Sequence, residues 1–238
     1  MNFKKLQWFL QNVWGLNRTI CSADNIKFFK ILKRYSSLNY QIISFKSGTT
    51  KNTWIAPPEW NLKEAFLKDK NNKIIASSKD SSLFVAPFSK NTNETISVKS
   101  LKKKLLTDKN NPKSFCYNWR FAYDFSLRGK DWGLSLPFEK IKKLNGKNLS
   151  IYINAEKKSG NLLIGKTSTK NKSKKSFYFL SHYCHPEQVN DSLSGVVLFE
   201  SIMVKLNKIK NLKYQYHHLV LPETIGSVFI YHQKVKWV

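Results

Sequence analysis

Apolar side chains return every three or four positions near the start of the chain, at Phe3, Leu6, Phe9, Leu10 and Val13, with lysine, glutamine and asparagine among them. That spacing predicts an amphipathic helix within Met1 to Arg18. Phe28, Phe29, Ile31, Leu32 and Tyr35 predict a second helix. The apolar run Tyr40 to Phe45 predicts a strand, and Ser47-Gly48-Thr49-Thr50 a turn. The texture then changes. Short apolar or aromatic runs such as Lys73 to Ala76 and Leu83 to Phe88 are broken by Pro57-Pro58, Asp69 to Asn72, Pro87, Asn110-Asn111-Pro112 and Pro137. This predicts a smaller β-rich module with some helix near Ser100 to Leu106.

Regular alternation resumes at Leu149. Leu149 to Ala155, Asn161 to Lys166 and Ser176 to Ser181 read as strands, with Lys170 to Lys175 a charged loop. Asp191 or Ser192 is suited to cap a helix carrying Leu193, Val196, Val197, Phe199, Met203, Val204 and Leu206. His217 to Leu221 reads as a further strand, followed by Pro222-Glu223-Thr224-Ile225-Gly226. Strand, helix, strand in this order predicts a parallel pair with a right-handed crossover. The polar clusters then fall at the carboxyl ends of neighbouring strands, where open α/β sheets place their sites.

Two histidines and a carboxylate occupy that edge in Ser181-His182-Tyr183-Cys184-His185-Pro186 and Asn190-Asp191-Ser192-Leu193-Ser194-Gly195. A hydrolytic zinc site needs neutral imidazole and carboxylate ligands, an open position for water, and a carboxylate to take the water's proton. His182, His185, Asp191 and Glu223 are of those types. Each also has a plainer role. A strand-end histidine can be a hydrogen-bonded structural residue, Asp191 an N-cap, and Glu223 a charge at a helix start. Cys184 reads as a small buried hydrophobe or as a ligand or nucleophile, but its flanking histidines are too close in sequence for an obvious triad. His217 and His218 read as structural strand residues, and His232 carries no spacing signal.

Composition limits the classes further. The 238 residues are 41% hydrophobic and 14% aromatic, enough for a real core. No apolar run approaches the roughly 20 residues of a membrane-spanning helix, and the N-terminus lacks the continuous apolar core of a signal peptide. A cytoplasmic protein without a membrane partner is expected. The net charge of +26 invites a nucleic-acid reading, but arginine occurs only at Arg18, Arg34, Arg120 and Arg128. Lysine spread along the whole chain predicts a solvated surface and no specific nucleic-acid partner. Three widely spaced cysteines suggest neither a disulfide framework nor a structural zinc ribbon.

Taken as a set, these motifs resemble a bacterial family of aminopeptidase-like proteins related to the zinc-dependent aminopeptidases. The resemblance rests on the two runs above and on Leu16-Asn17-Arg18, Ser47-Gly48-Thr49, Trp54, Pro57, Glu59-Trp60-Asn61, Asp80-Ser81, Trp132 to Pro137 and Pro222 to Ser227, all in the family's order. It implies a three-layer α/β fold with a mostly parallel central sheet. The peptidase-like domain would comprise residues 1–46 and 147–238, interrupted by an inserted β-rich domain at 47–146. It implies one or two zinc ions held by His185 and Asp191, with His182 a further ligand position that varies in the family, and Glu223 as general base. The expected activity is hydrolysis of a peptide or a small-molecule amide. The alternative is a binding or regulatory protein that keeps the fold without the chemistry. Thr224 stands where the superfamily has a second glutamate, and family members continue with further strands and ligands. The chain is therefore expected to be an N-terminal portion, and an inactive one if the missing ligands are essential.

Overall fold

The computed structural model describes residues 3–119, 122, 128–144 and 148–231; His232 lies outside them. The chain forms two compact units. The first comprises residues 1–59 and 158–238, the second residues 60–157.

The first unit is built on a four-stranded sheet of order β1-β10-β12-β11. Its helices and strands are α1 (Phe3–Val13), α2 (Ala23–Tyr35), β1 (Gln41–Lys46), β2 (Thr50–Lys51), β3 (Trp54–Ile55), β10 (Asn161–Ser168), β11 (Ser176–His182), α5 (Ser194–Leu206), β12 (Gln215–Leu221) and α6 (Ile225–Tyr231). The second unit carries most of β4 (Glu59–Lys68) and β9 (Leu149–Lys158), with β5 (Ile74–Ser77), β6 (Thr92–Ile96), α3 (Val98–Lys102), β7 (Leu105–Leu106), β8 (Leu134–Ser135) and α4 (Phe138–Lys142). Its main sheet has the order β5-β4-β9-β6, over a core that includes Trp60, Phe84, Phe88 and Trp132.

The expectation of a mostly parallel central sheet is corrected. β1 pairs with β10 antiparallel, β10 pairs with β12 antiparallel, and β11 pairs with β12 parallel. The reason lies in the connections. A parallel neighbour needs a crossover of a dozen or more residues, usually a helix. Among the strands of this sheet, β11 and β12 are joined in that way, through α5. The loop between β10 and β11 is too short for a parallel return, and β1 meets β10 as the two arms of a hairpin whose connection includes the whole second unit.

Strand alternation sorts the two faces. Leu163, Gly165 and Val220 share one face by register. They pack with Phe9 and Val13 of α1, Phe28, Phe29, Leu32 and Tyr35 of α2, and Val196 and Val197 of α5. Gly165 permits this closeness, because a Cβ there would come within 2.6 Å of the Phe29 ring. Phe45, opposite Leu162, points to the other face and meets Phe229 of α6 at 5.1 Å. Helices therefore cover both faces, giving three layers.

One polar chain crosses this core. His218 Nδ1 lies 2.9 Å from the Tyr40 hydroxyl, and its Nε2 lies 2.8 Å from Ser181 Oγ. All three residues are buried. Burial pushes the His218 pKa down from 6.5 to about 3 and moves the Tyr40 phenol upward. The neutral ring accepts from one hydroxyl and donates to the other, so the chain is satisfied without a buried charge. His217, beside Ser168 Oγ at 2.6 Å, is likewise pushed down by burial, to about 4.

A histidine whose folded pKa is depressed leaves the unfolded state to bind the proton first. The stability it confers is complete above about pH 6.5 and is lost as pH falls from there toward 3. His218 alone should remove about 2 kcal/mol between pH 7 and pH 5. His218→Gln is expected to lower stability at pH 7 by about 1–3 kcal/mol and to flatten this dependence, read from urea midpoints at the two pH values. An unchanged slope would show that another group carries it.

Candidate metal centre

The site begins where β11 runs out. The parallel register pairs Ser181 with Val220 and His182 with Leu221, so both strands end at the same level. Tyr183 N still donates to Leu221 O at 3.3 Å. The Tyr183 side chain turns inward, stacks on Phe28 at 4.9 Å and donates its hydroxyl to Leu163 O at 3.0 Å. That anchor fixes the chain between the two histidines. Cys184 is fully buried, and the Glu223 backbone N–H donates to its sulfur at 3.2 Å. The thiol thus ties the turn after β11 to the turn after β12 and offers no exposed nucleophile.

Glu223 follows β12 in a tight turn. Ile225 N donates to Glu223 O at 2.6 Å and Gly226 N to Pro222 O at 2.9 Å. Gly226 lets α6 start this close to the strand, since a Cβ there would meet Leu221 Cβ at 2.8 Å. Thr224 adopts φ 57°, a left-handed conformation that costs a β-branched residue about 1–2 kcal/mol. The turn holds this conformation through its backbone bonds.

Asp191 is not a helix cap, contrary to the expectation for Asp191 or Ser192. Residues Val189–Leu193 form a wide turn, the Asp191–Ser192 peptide is cis, and α5 begins only at Ser194 without a side-chain cap. The Asp191 carboxylate faces the histidines instead. Its Oδ1 lies 2.6 Å from His182 Nε2 and its Oδ2 lies 3.4 Å from His185 Nδ1. Ser192 Oγ donates to the His182 carbonyl and secures this turn against β11.

The four candidate residues therefore meet. Among the described residues, His182, His185 and Asp191 offer ligand atoms that all lie within 4.8 Å of one another. Glu223 Oε2 lies 3.2 Å from His185 Nε2, and the two imidazoles sit edge to face at 4.7 Å. His185 is 3% exposed, whereas the Asp191 side chain is 64% and the Glu223 side chain 45% exposed. Burial, then His182, pushes the His185 pKa down, against the upward pull of Asp191 and Glu223. The net direction favours the neutral imidazole that a metal requires. Two imidazoles and a carboxylate suit a borderline ion such as zinc, and the exposed carboxylates leave access from solvent. His217 and His218 belong to the strand interior and do not join the group.

Arg18, which the sequence marks within the Leu16-Asn17-Arg18 motif and assigns no role, supports this turn. Arg18 is fully buried, donates Nε to Val13 O at 3.0 Å and donates Nη1 to Tyr183 O. Beside it, Trp14 and Glu187 exchange bonds: Glu187 N to Trp14 O at 3.1 Å, and Trp14 Nε1 to Glu187 O at 3.0 Å. The segment after α1 is thereby stapled to the turn that carries His185.

Known proteins resemble this chain in sequence and in fold. A candidate polysaccharide biosynthesis protein with an aminopeptidase-like domain, from Clostridium acetobutylicum, is 29% identical over 219 residues, covering 92% of this chain and 48% of that protein. The crystal structure of a candidate peptidase from Clostridium acetobutylicum matches with a TM-score of 0.80 at 27% identity, over 94% of this chain and 51% of that one. A zinc aminopeptidase from Bacillus subtilis shares the fold, with a TM-score of 0.61 at 12% identity over 96% of this chain and 64% of that one. The chain spans about half the length of the curated relative it matches. The profile of the family described as "Domain of unknown function (DUF4910)" covers residues 7–238, and the chain belongs to that family.

Proposed function

We propose that this chain carries the metal centre of a zinc-dependent, aminopeptidase-like hydrolase acting on a peptide or small-molecule amide bond. The observation that carries the reading is the convergence of His182, at the end of β11, with His185, Asp191 and Glu223 from three separate turns. The likeness to a candidate peptidase and to a zinc aminopeptidase supports it.

His185, His182 and Asp191 would hold the ion. When bound, zinc supplies Lewis acidity toward the carbonyl and makes water a stronger acid. Glu223 would take the proton from water and return it to the leaving amine, a role supported by its partly exposed carboxylate beside His185. The Asp191 carboxylate faces both imidazoles, one oxygen toward each, so the three candidate ligands surround one point. Arg18 and the Trp14–Glu187 pair act as positioning residues that hold the backbone on either side of Cys184-His185.

Protein purified at neutral pH is expected to take up zinc stoichiometrically, measured by elemental analysis and by calorimetric titration, and His185→Ala to abolish that uptake. Glu223→Gln should keep the zinc and lower amide hydrolysis by about 10²–10⁴-fold. Failure of the intact chain to bind zinc, or unchanged uptake in His185→Ala, would refute the reading.

Arg18→Met should weaken zinc binding by about 10- to 100-fold and also lower the melting temperature. Trp14→Phe removes one indole N–H from the rim, and it should weaken zinc binding with the melting temperature nearly unchanged. If both variants bind zinc as the parent does, the staple supports the fold alone.

A further inference from the structure

The opposite end of the same strand pair has a different chemistry. The loop before β11 and the loop before β12 are strapped together. Asn171 Nδ2 donates to Leu212 O at 3.3 Å and to Tyr214 O at 2.9 Å, Ser173 Oγ donates to Lys213 O at 3.0 Å, and Gln215 N donates to Lys175 O at 3.0 Å. Lys172, Lys174 and Lys175 project from the first loop, and Lys208, Lys210 and Lys213 from the second; all six are exposed. No Asp or Glu occurs between Glu156 and Glu187, or between Glu200 and Glu223. Glu200 itself is buried, accepts a hydrogen bond from Ser36 Oγ at 2.9 Å, and lines a cleft with Lys205 and Lys208. The folded chain thus concentrates positive charge that the linear sequence merely spreads.

Two apolar side chains stand among these lysines. Ile209, between Lys208 and Lys210, is 54% exposed, and Phe177, two residues after Lys175, is 51% exposed. Phe177 packs against Tyr214 at 4.9 Å and Tyr216 at 5.7 Å.

We propose that this loop pair docks the protein peripherally on an anionic phospholipid bilayer, with the lysines against the headgroups and Ile209 and Phe177 at the interface. This departs from the expectation of no membrane partner. It concerns adsorption, because no helix among the described residues is long and apolar enough to cross a membrane. Clustered lysine suits a diffuse anionic surface, as each lysine near such a bilayer contributes about fivefold in partitioning. Nucleic-acid recognition favours the arginine fork, and the two loops contain no arginine. Single-stranded binding needs aromatic faces open to bases, whereas the Phe177 ring is stacked on Tyr216 and Ile209 has no face to offer. The metal centre lies at the far end of β11, about 20 Å away along its seven residues, so it would face away from the bilayer.

The test is cosedimentation of the full chain with phosphatidylcholine vesicles containing about one-third phosphatidylglycerol, against phosphatidylcholine alone. Binding is expected to the anionic vesicles alone. Changing Lys172, Lys174, Lys208 and Lys210 together to Gln should lower it about a hundredfold or more. The same number of changes in the second unit, at Lys99, Lys102, Lys103 and Lys109, should lower it far less. Ile209→Ser, which alters no charge, should lower it several-fold. Equal losses from both lysine sets would mean that net charge alone drives adsorption, and the proposal fails. It fails equally if Ile209→Ser has no effect, or if a single-stranded RNA oligonucleotide displaces the protein from the vesicles and loses affinity in the loop variant.

Discussion

The parallel register of β11 against β12 is the constraint on which the rest depends. It aligns His182 with Leu221 and so ends both strands at one level, with the turns carrying His185 and Glu223 side by side. A slip of one residue would reverse every side chain on the moved strand. His218 would then leave Ser181 and Tyr40, and His182 would point away from Asp191. The register is held from both sides. Val220 packs into the apolar cluster with Tyr183 and α5, and the Tyr40–His218–Ser181 chain pins the middle of the pair. A polar chain inside an apolar core is specific in a way that apolar packing is not, since its members are satisfied in one alignment alone.

Above this frame, the site is built from turns rather than from regular elements. Tyr183 is sunk into the core, Cys184 receives the Glu223 N–H, Ser192 is tied to the His182 carbonyl, and Arg18 holds the Tyr183 carbonyl. Each bond fixes backbone adjacent to a candidate ligand and leaves the ligand's own side chain free to face its neighbours. The buried Arg18 guanidinium donates to the Val13 and Tyr183 carbonyls, while the partly exposed carboxylates of Asp191 and Glu223 face the histidines.

Much of this was legible in the sequence because periodicity reports burial. The repeats at Phe9 and Val13, at Phe28, Phe29 and Leu32, and at Val196 and Val197 lie in the cluster that covers the sheet. The direction of the strands was not legible in the same way. A run such as Asn161 to Lys166 shows that it is buried, but pairing direction depends on where the chain travels between strands, and β1 and β10 are separated by an entire unit. His182, His185, Asp191 and Glu223 could be suspected from residue type and strand ends. The Leu16-Asn17-Arg18 motif marks Arg18 but not its burial, because an arginine after an amphipathic helix is ordinarily a solvated one. The wide turn at Val189–Leu193 was equally hidden, since Asp before an apolar helix has the appearance of a cap.

The two ends of the strand pair also bear on each other through electrostatics. In a chain of net charge +26, a site for a divalent cation faces general repulsion. Asp191 and Glu223 meet the histidines at the carboxyl end of the strands, and the strapped lysine loops lie at the amino end, about 20 Å away along β11. At physiological ionic strength the screening length is about 8 Å. The lysine field has therefore decayed through more than two such lengths before it reaches the histidines, while the carboxylates act at contact distance. Segregation along the strand axis lets a strongly basic protein keep one locally acidic edge. The same pair of strands can then present a candidate metal site in one direction and a polycationic surface in the other, and neither compromises the other.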